Sequence, residues 1–150
     1  MAQTGSTKRL QKELLEFQKK PIEGVTASLV EDNIYNWELK IAGPAGSPYE
    51  GGVFVLSLQF LQEYPSKSPD VAFRTKIYHP NVHVDGSICL MCMAKWTPTM
   101  KVSKIVAEVL EVLARPNAEH AVTPEIGSAY NNNRAAFEDQ ARKWTAQYAH

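Results

Sequence analysis

The sequence predicts an α+β fold: an N-terminal helix, a four-stranded antiparallel meander sheet, a long irregular loop and then C-terminal helices. Three observations lead there. Apolar residues recur at helical spacing before Pro21 and again after Val102. Between Val25 and Thr75 lie short β-branched and aromatic runs whose joins are too short for crossover helices, so neighbours should pair antiparallel. From Thr75 to Val102, more than twenty residues follow neither period. With 150 residues, 44% of them apolar, no linker-like stretch and no tandem repeat, residues 1–150 are expected to form a single domain around one core.

The first helix is predicted from Ser6 to Lys20: Leu10, Leu14 and Phe17 form its apolar stripe, Ser6 can cap it and Pro21 stops it. Its polar face carries Lys8, Arg9, Lys12, Lys19 and Lys20 against Glu13 and Glu16, a local positive excess on a chain whose 16 basic and 16 acidic residues cancel. Such a face is either a solvated surface or a docking surface for an acidic protein. Strands are predicted over Val25–Val30, Trp37–Ala42, Val53–Phe60 and Val71–Thr75; in the second, Trp37, Leu39 and Ile41 alternate with polar residues. The segment from Gly43 to Gly52 is dense in turn formers and reads as one hairpin loop. Gly46 and Gly51 have the spacing of a phosphate-binding loop, but Gly52 stands where that motif requires lysine. Further on, Ile105, Val109 and Val112 mark a helix ending near Arg115-Pro116. Thr123-Pro124-Glu125 supplies a cap, a first-turn proline and a first-turn acid for a short helix, and Phe137, Ala141, Trp144 and Tyr148 form the stripe of the last one.

Zero formal net charge gives no global attraction to nucleic acid, and no apolar run approaches the roughly 18 to 20 residues of a membrane span. Met1 to Arg9 lacks the apolar segment of a secretory signal. The only cysteines are Cys89 and Cys92, which excludes a multi-bridge disulfide framework. A soluble intracellular protein is expected, in the cytoplasm and compatible with the nucleus, with no nucleic-acid or membrane partner.

The long loop holds the chemistry, because structureless stretches of that length in compact domains are usually functional. It runs from Tyr78-His79-Pro80-Asn81 through Asp85-Gly86-Ser87-Ile88-Cys89-Leu90-Met91-Cys92 to Trp96-Thr97-Pro98. His79, His83, Cys89 and Cys92 are zinc-ligand types, H-x3-H followed by C-x2-C, but a finger normally places the cysteines first and separates the pairs more widely. A redox C-x2-C needs a βαβ context that the antiparallel order does not offer. A third reading uses one thiol: a thiolate accepts acyl groups well, and an Asn amide suits the oxyanion of the tetrahedral intermediate. Asn81 lies eight residues before Cys89, with a turn at Asp85-Gly86 between them. Against these stand plainer readings, in which Cys89 is a small buried hydrophobe, Asn81 a turn residue, His79 a structural imidazole and Trp96 a core aromatic.

The set His79-Pro80-Asn81, Gly86-Ser87-Ile88-Cys89-Leu90 and Trp96-Thr97-Pro98 closely resembles the active-site signature of the ubiquitin-conjugating enzymes. Tyr49-Glu50-Gly51-Gly52 and Tyr64-Pro65 upstream, and Arg115-Pro116-Asn117 and Trp144 downstream, follow in the family's order. The resemblance implies the ubiquitin-conjugating fold. Cys89 would take the C-terminal glycine of ubiquitin, or of a ubiquitin-like protein, from the activating enzyme as a thioester. The acyl group would then pass to a lysine of a substrate protein or to a ligase. Asn81 would support the oxyanion, His79 and Pro80 would hold its turn, and Tyr78 and Leu90 would line the lysine's approach. No cofactor and no metal are implied. Lys8, Arg9 and Lys12 would meet the activating enzyme, with Ser66 and Trp96-Thr97-Pro98-Thr99 forming the ligase-binding loops. Ser66 replaces the phenylalanine common in partners of HECT ligases, so a RING-type ligase is expected. Met91 stands where many members carry an acid, and His120 where an acidic residue often orients the lysine; an imidazole there can still accept a proton. The alternatives are a conjugating enzyme for a ubiquitin-like modifier and a non-catalytic ubiquitin-binding adaptor.

Overall fold

A computed structural model describes residues 5–88 and 90–150. Helix α1 (Gly5–Lys19) leads into strands β1 (Val25–Val30), β2 (Asn33–Ala42), β3 (Val53–Gln59) and β4 (Asp70–Phe73). After the loop come a four-residue helix α2 (Met91–Ala94), α3 (Val102–Ala114), a 3-10 turn at Ala118–His120, α4 (Pro124–Asn132) and α5 (Arg134–Tyr148). The strands pair antiparallel in the order β1-β2-β3-β4, the meander the sequence predicts.

The sheet's register follows its alternation. Trp37, Leu39 and Ile41 of β2 lie opposite Leu58, Leu56 and Phe54 of β3, and all six are fully buried. The inward face of the sheet, Leu10 and Phe17 of α1, and Val102, Ile105, Val106, Val109 and Leu113 of α3 share one core. Each such side chain contributes about 1.5–3 kcal/mol by leaving water. The loop after β2 closes where Gly43 N–H donates to the Gly52 carbonyl at 2.9 Å.

Several local expectations are corrected. Ser6 does not cap α1; it lies inside the helix with its hydroxyl 2.7 Å from the Tyr35 hydroxyl. Strand β2 begins four residues before Trp37, because β1 turns into it through Glu31 and Asp32 at φ 54° and 58°, a tight reversal that no glycine announces. On α3 the buried stripe passes through Leu113; Val112 is only half-buried. Thr123 occupies the N-cap position of α4 without capping it, and its hydroxyl donates instead to the Val82 carbonyl at 3.4 Å. Asn133 caps α5, its side chain accepting the Ala136 N–H.

Candidate active site

The loop between β4 and α2 is strapped to the sheet on one side and to α3 on the other. Ser87 bridges Ala72 and Ile88 bridges Val82, while Phe73 N–H donates to the Gly86 carbonyl at 2.7 Å. The Asp85-Gly86 turn forms as predicted: Gly86 N–H donates to the His83 carbonyl, and Asp85 Oδ1 accepts the Ser87 N–H and hydroxyl. Gly86 sits at φ 93°, and a Cβ there would fall 2.0 Å from the Phe73 carbonyl oxygen, so glycine is required for this close approach. Both flanks of position 89 are buried, Ile88 on one side and Leu90 on the other. Cys89, the predicted acyl acceptor, lies outside the described residues.

Ahead of that strap, His79 is fully buried. Its Nδ1 accepts the Asn81 N–H at 3.0 Å and its Nε2 donates to the Val112 carbonyl at 2.8 Å, which fixes the neutral tautomer. Burial pulls its pKa down to about 4, partly offset by the bond to Val112. With both ring nitrogens committed, His79 is not offered to a metal, and the zinc reading loses one of its four ligands. The Tyr49 hydroxyl donates to the Tyr78 carbonyl at 2.6 Å, closing the near side of the same turn.

Asn81, 5% exposed, uses its whole side-chain amide. Oδ1 accepts the Asn117 N–H at 2.8 Å, while Nδ2 donates to the carbonyls of Asn117 at 2.8 Å and His120 at 3.3 Å. The side chain thereby ties the histidine-proline-asparagine turn to the 3-10 turn that carries His120, and Val122 N–H donates to the Pro80 carbonyl beside it. The imidazole of His120 is exposed. Tyr78 packs its half-buried ring on Phe137 and Trp144 of α5, at 5.7 and 5.4 Å between centroids, and Leu90 belongs to the core.

The second thiol behaves differently from a nucleophile. Cys92 is 3% exposed, in the first turn of α2, and its N–H donates to both Glu108 carboxylate oxygens. Burial, then the Glu108 charge, push its thiol up to about 11. Nothing local in the sequence signals this contact, because Glu108 lies sixteen residues away on another helix.

The predicted docking residues come together around a second polar centre. Glu13 of α1 is buried; Oε2 accepts from Arg9 Nε at 2.8 Å and from the Tyr64 hydroxyl, and Oε1 accepts the Val102 N–H at 2.8 Å, capping α3 from outside. Arg9 also donates to the Met100 carbonyl at 2.9 Å, and Trp96 Nε1 donates to the Pro65 carbonyl at 2.7 Å. Helix α1, the Tyr64–Ser66 loop and the Trp96–Thr99 loop are thus one continuous surface. Lys8, Lys12, Ser66, Thr97, Pro98 and Thr99 are exposed on it, whereas Arg9 is largely committed inward.

A family model described as ubiquitin-conjugating enzyme matches residues 9–145. The chain belongs to the ubiquitin-conjugating enzyme family. The fold agrees: a crystal structure of a Plasmodium yoelii protein assigned to the ubiquitin-conjugating enzymes superposes with a TM-score of 0.92 at 31% identity, over 99% of this chain and 98% of that one. In this ubiquitin-conjugating fold the turn braced by His79 and Asn81, the strap leading to position 89 and the Trp96–Thr99 loop all occupy the single long connection between β4 and α3. Family membership carries ubiquitin, an activating enzyme and a ligase as partners in general.

Proposed function

We propose that this chain is an active ubiquitin-conjugating enzyme in which Cys89 carries the ubiquitin thioester. The Cys89 thiolate attacks the thioester carbonyl presented by the activating enzyme, whose sulfur leaves. An amine of a substrate protein then attacks the same carbon, the Cys89 sulfur leaves, and the exposed His120 imidazole accepts the amine's proton. Asn81 supports the oxyanion by turning one Nδ2–H from the His120 carbonyl, its longer bond at 3.3 Å, toward the intermediate. Lys8 and Lys12 serve the activating enzyme, and the surface of Ser66 and Trp96–Thr99 serves a RING-type ligase.

The observation that carries the reading is the brace of His79, Asn81 and Asn117, built in a family member beside the two straps that lead to position 89. Cys92 is an unsuitable alternative, since its thiol is buried and held far above neutral pH.

Incubation with activating enzyme, ATP and ubiquitin is expected to give a thiol-sensitive adduct. Cys89→Ser should turn it into a thiol-resistant ester and Cys92→Ser should leave the thioester intact. An adduct that disappears with Cys92 instead would sink the assignment. Adducts formed only with ubiquitin-like proteins would keep the chemistry and change the modifier, while binding without any adduct would favour an adaptor.

A further inference from the structure

Glu13 is a buried carboxylate, 4% exposed, whose two oxygens hold three segments of the chain. Oε2 accepts from Arg9 Nε on its own helix at 2.8 Å and from the Tyr64 hydroxyl after β3. Oε1 accepts the N–H of Val102, the first residue of α3, whose N-cap residue Lys101 makes no side-chain cap hydrogen bond. Arg9 in turn donates through Nη2 to the Met100 carbonyl at 2.9 Å, just before α3. The two loops beside this carboxylate are also fastened to each other: Trp96 Nε1 donates to the Pro65 carbonyl at 2.7 Å, and the Trp96 and Tyr64 rings lie 6.0 Å apart. Lys8 and Lys12 are exposed, one position before Arg9 and Glu13 and so about 100° round the helix.

Burying a carboxylate is costly, and well-packed apolar residues of the same volume often hold a core at least as firmly. What the charge adds is direction. It accepts from donors at set distances and angles, and so fixes a register that apolar packing alone leaves free to slip. We infer that Glu13 is a positioning residue for the ligase: it sets the Tyr64–Ser66 and Trp96–Thr99 loops against α1 and so preorganises the ligase-binding surface without touching the partner. The inference rests on the ligase reading of that surface. Its consequence is a division between two partners. Contact with the activating enzyme through Lys8 and Lys12 is independent of Glu13, whereas engagement of the ligase needs both loops in place at once and depends on it.

Glu13→Gln keeps the volume and removes the charge that gathers the three donors. The probe is a RING domain that speeds discharge of ubiquitin from the parent chain to free lysine. Half-maximal discharge is expected to need about five- to tenfold more RING domain in Glu13→Gln and about threefold more in Tyr64→Phe, with the rate at saturation within about twofold of the parent. The concentration of either variant that half-saturates loading by the activating enzyme should stay within about twofold of the parent. Without any partner, amide exchange in Glu13→Gln should quicken at Ser66, whose N–H donates to the Glu63 carbonyl, and at Met100, whose N–H donates to the Thr97 carbonyl. Leu56→Val, a core change in β3 opposite Leu39 and Phe73, lowers stability and should leave the RING requirement as it is. An unchanged RING requirement or unchanged exchange at both amides in Glu13→Gln overturns the inference. So does an equal rise for the RING domain and the activating enzyme, or a rise in Leu56→Val as large as that in Glu13→Gln. Should Glu13→Gln fail to fold by circular dichroism, Tyr64→Phe decides alone, and an unchanged RING requirement there overturns the inference. Faster exchange at Ser66 and Met100 in a chain that loads ubiquitin but answers no RING domain would remove the ligase reading and leave the hold of Glu13 on both loops standing.

Discussion

Asn81 and Asn117 hold each other in both directions, the Asn117 N–H donating to Asn81 Oδ1 and Asn81 Nδ2 donating to the Asn117 carbonyl, each at 2.8 Å. A side-chain amide here does what a neighbouring strand does in a sheet: it satisfies both backbone groups of one residue. Asn81→Ala orphans the Asn117 N–H, while the Asn117 carbonyl keeps the His120 N–H at 3.2 Å; the change is expected to cost about 1–3 kcal/mol, read as a lower denaturation midpoint and as faster hydrogen exchange at the Asn117 amide. Discharge to lysine should slow about a hundredfold or more, with loading affected much less. Equal slowing of both steps would confine Asn81 to bracing the turn.

His79 makes the fold sensitive to acid. Its folded pKa is depressed from 6.5 to about 4 by burial, so within this window the unfolded chain binds a proton that the folded chain does not. Stability therefore falls as pH drops from about 6.5 toward 4, by about 3 kcal/mol in the limit. Urea midpoints at pH 7 and pH 4.5 should separate strongly in the parent and less in His79→Gln. Parallel losses in the two chains would place the acid sensitivity elsewhere.

Glu13 joins α1 to the Tyr64 loop and to the start of α3. Tyr64→Phe removes one donor and leaves Arg9 and the Val102 N–H in place, for an expected loss of about 1 kcal/mol. Glu13→Ala orphans the buried Val102 N–H and Tyr64 hydroxyl together, for about 2–4 kcal/mol. The double variant should cost little more than Glu13→Ala alone, because both changes break the same bond; full additivity in a double-mutant cycle would contradict that geometry.

The β1–β2 reversal places Glu31 and Asp32 in left-handed conformations that most side chains resist by about 1–2 kcal/mol each. Glu31→Asn with Asp32→Gly installs the pair that this turn favours. A gain of about 0.5–1 kcal/mol is expected from denaturant midpoints, with ubiquitin loading unchanged. A loss of stability would mean that the two acids make compensating contacts.

Much of the architecture was legible because it rests on local periodicity. Trp37, Leu39 and Ile41 announced a half-buried strand, Pro21 and Arg115-Pro116 announced helix ends, and Asp85-Gly86 announced its turn. The misses share one cause. Ser6 and Thr123 have the chemistry of caps, yet distant groups, the Tyr35 hydroxyl and the Val82 carbonyl, compete for their hydroxyls. The start of β2 was invisible because residues with ordinary side chains make the reversal.

The candidate site divides along the same line. Residue order alone placed a histidine, an asparagine and a cysteine with the chemistry of acyl transfer on one loop and a basic stripe on the first helix, since composition and spacing are properties of the chain. It could not say that Arg9 faces inward, that Asn81 spends its amide on Asn117 and His120, or that Glu108 sits on Cys92. Those are contacts between residues 16 to 91 positions apart. They exist because burial leaves polar groups few partners within reach, and only packing determines which partner that is.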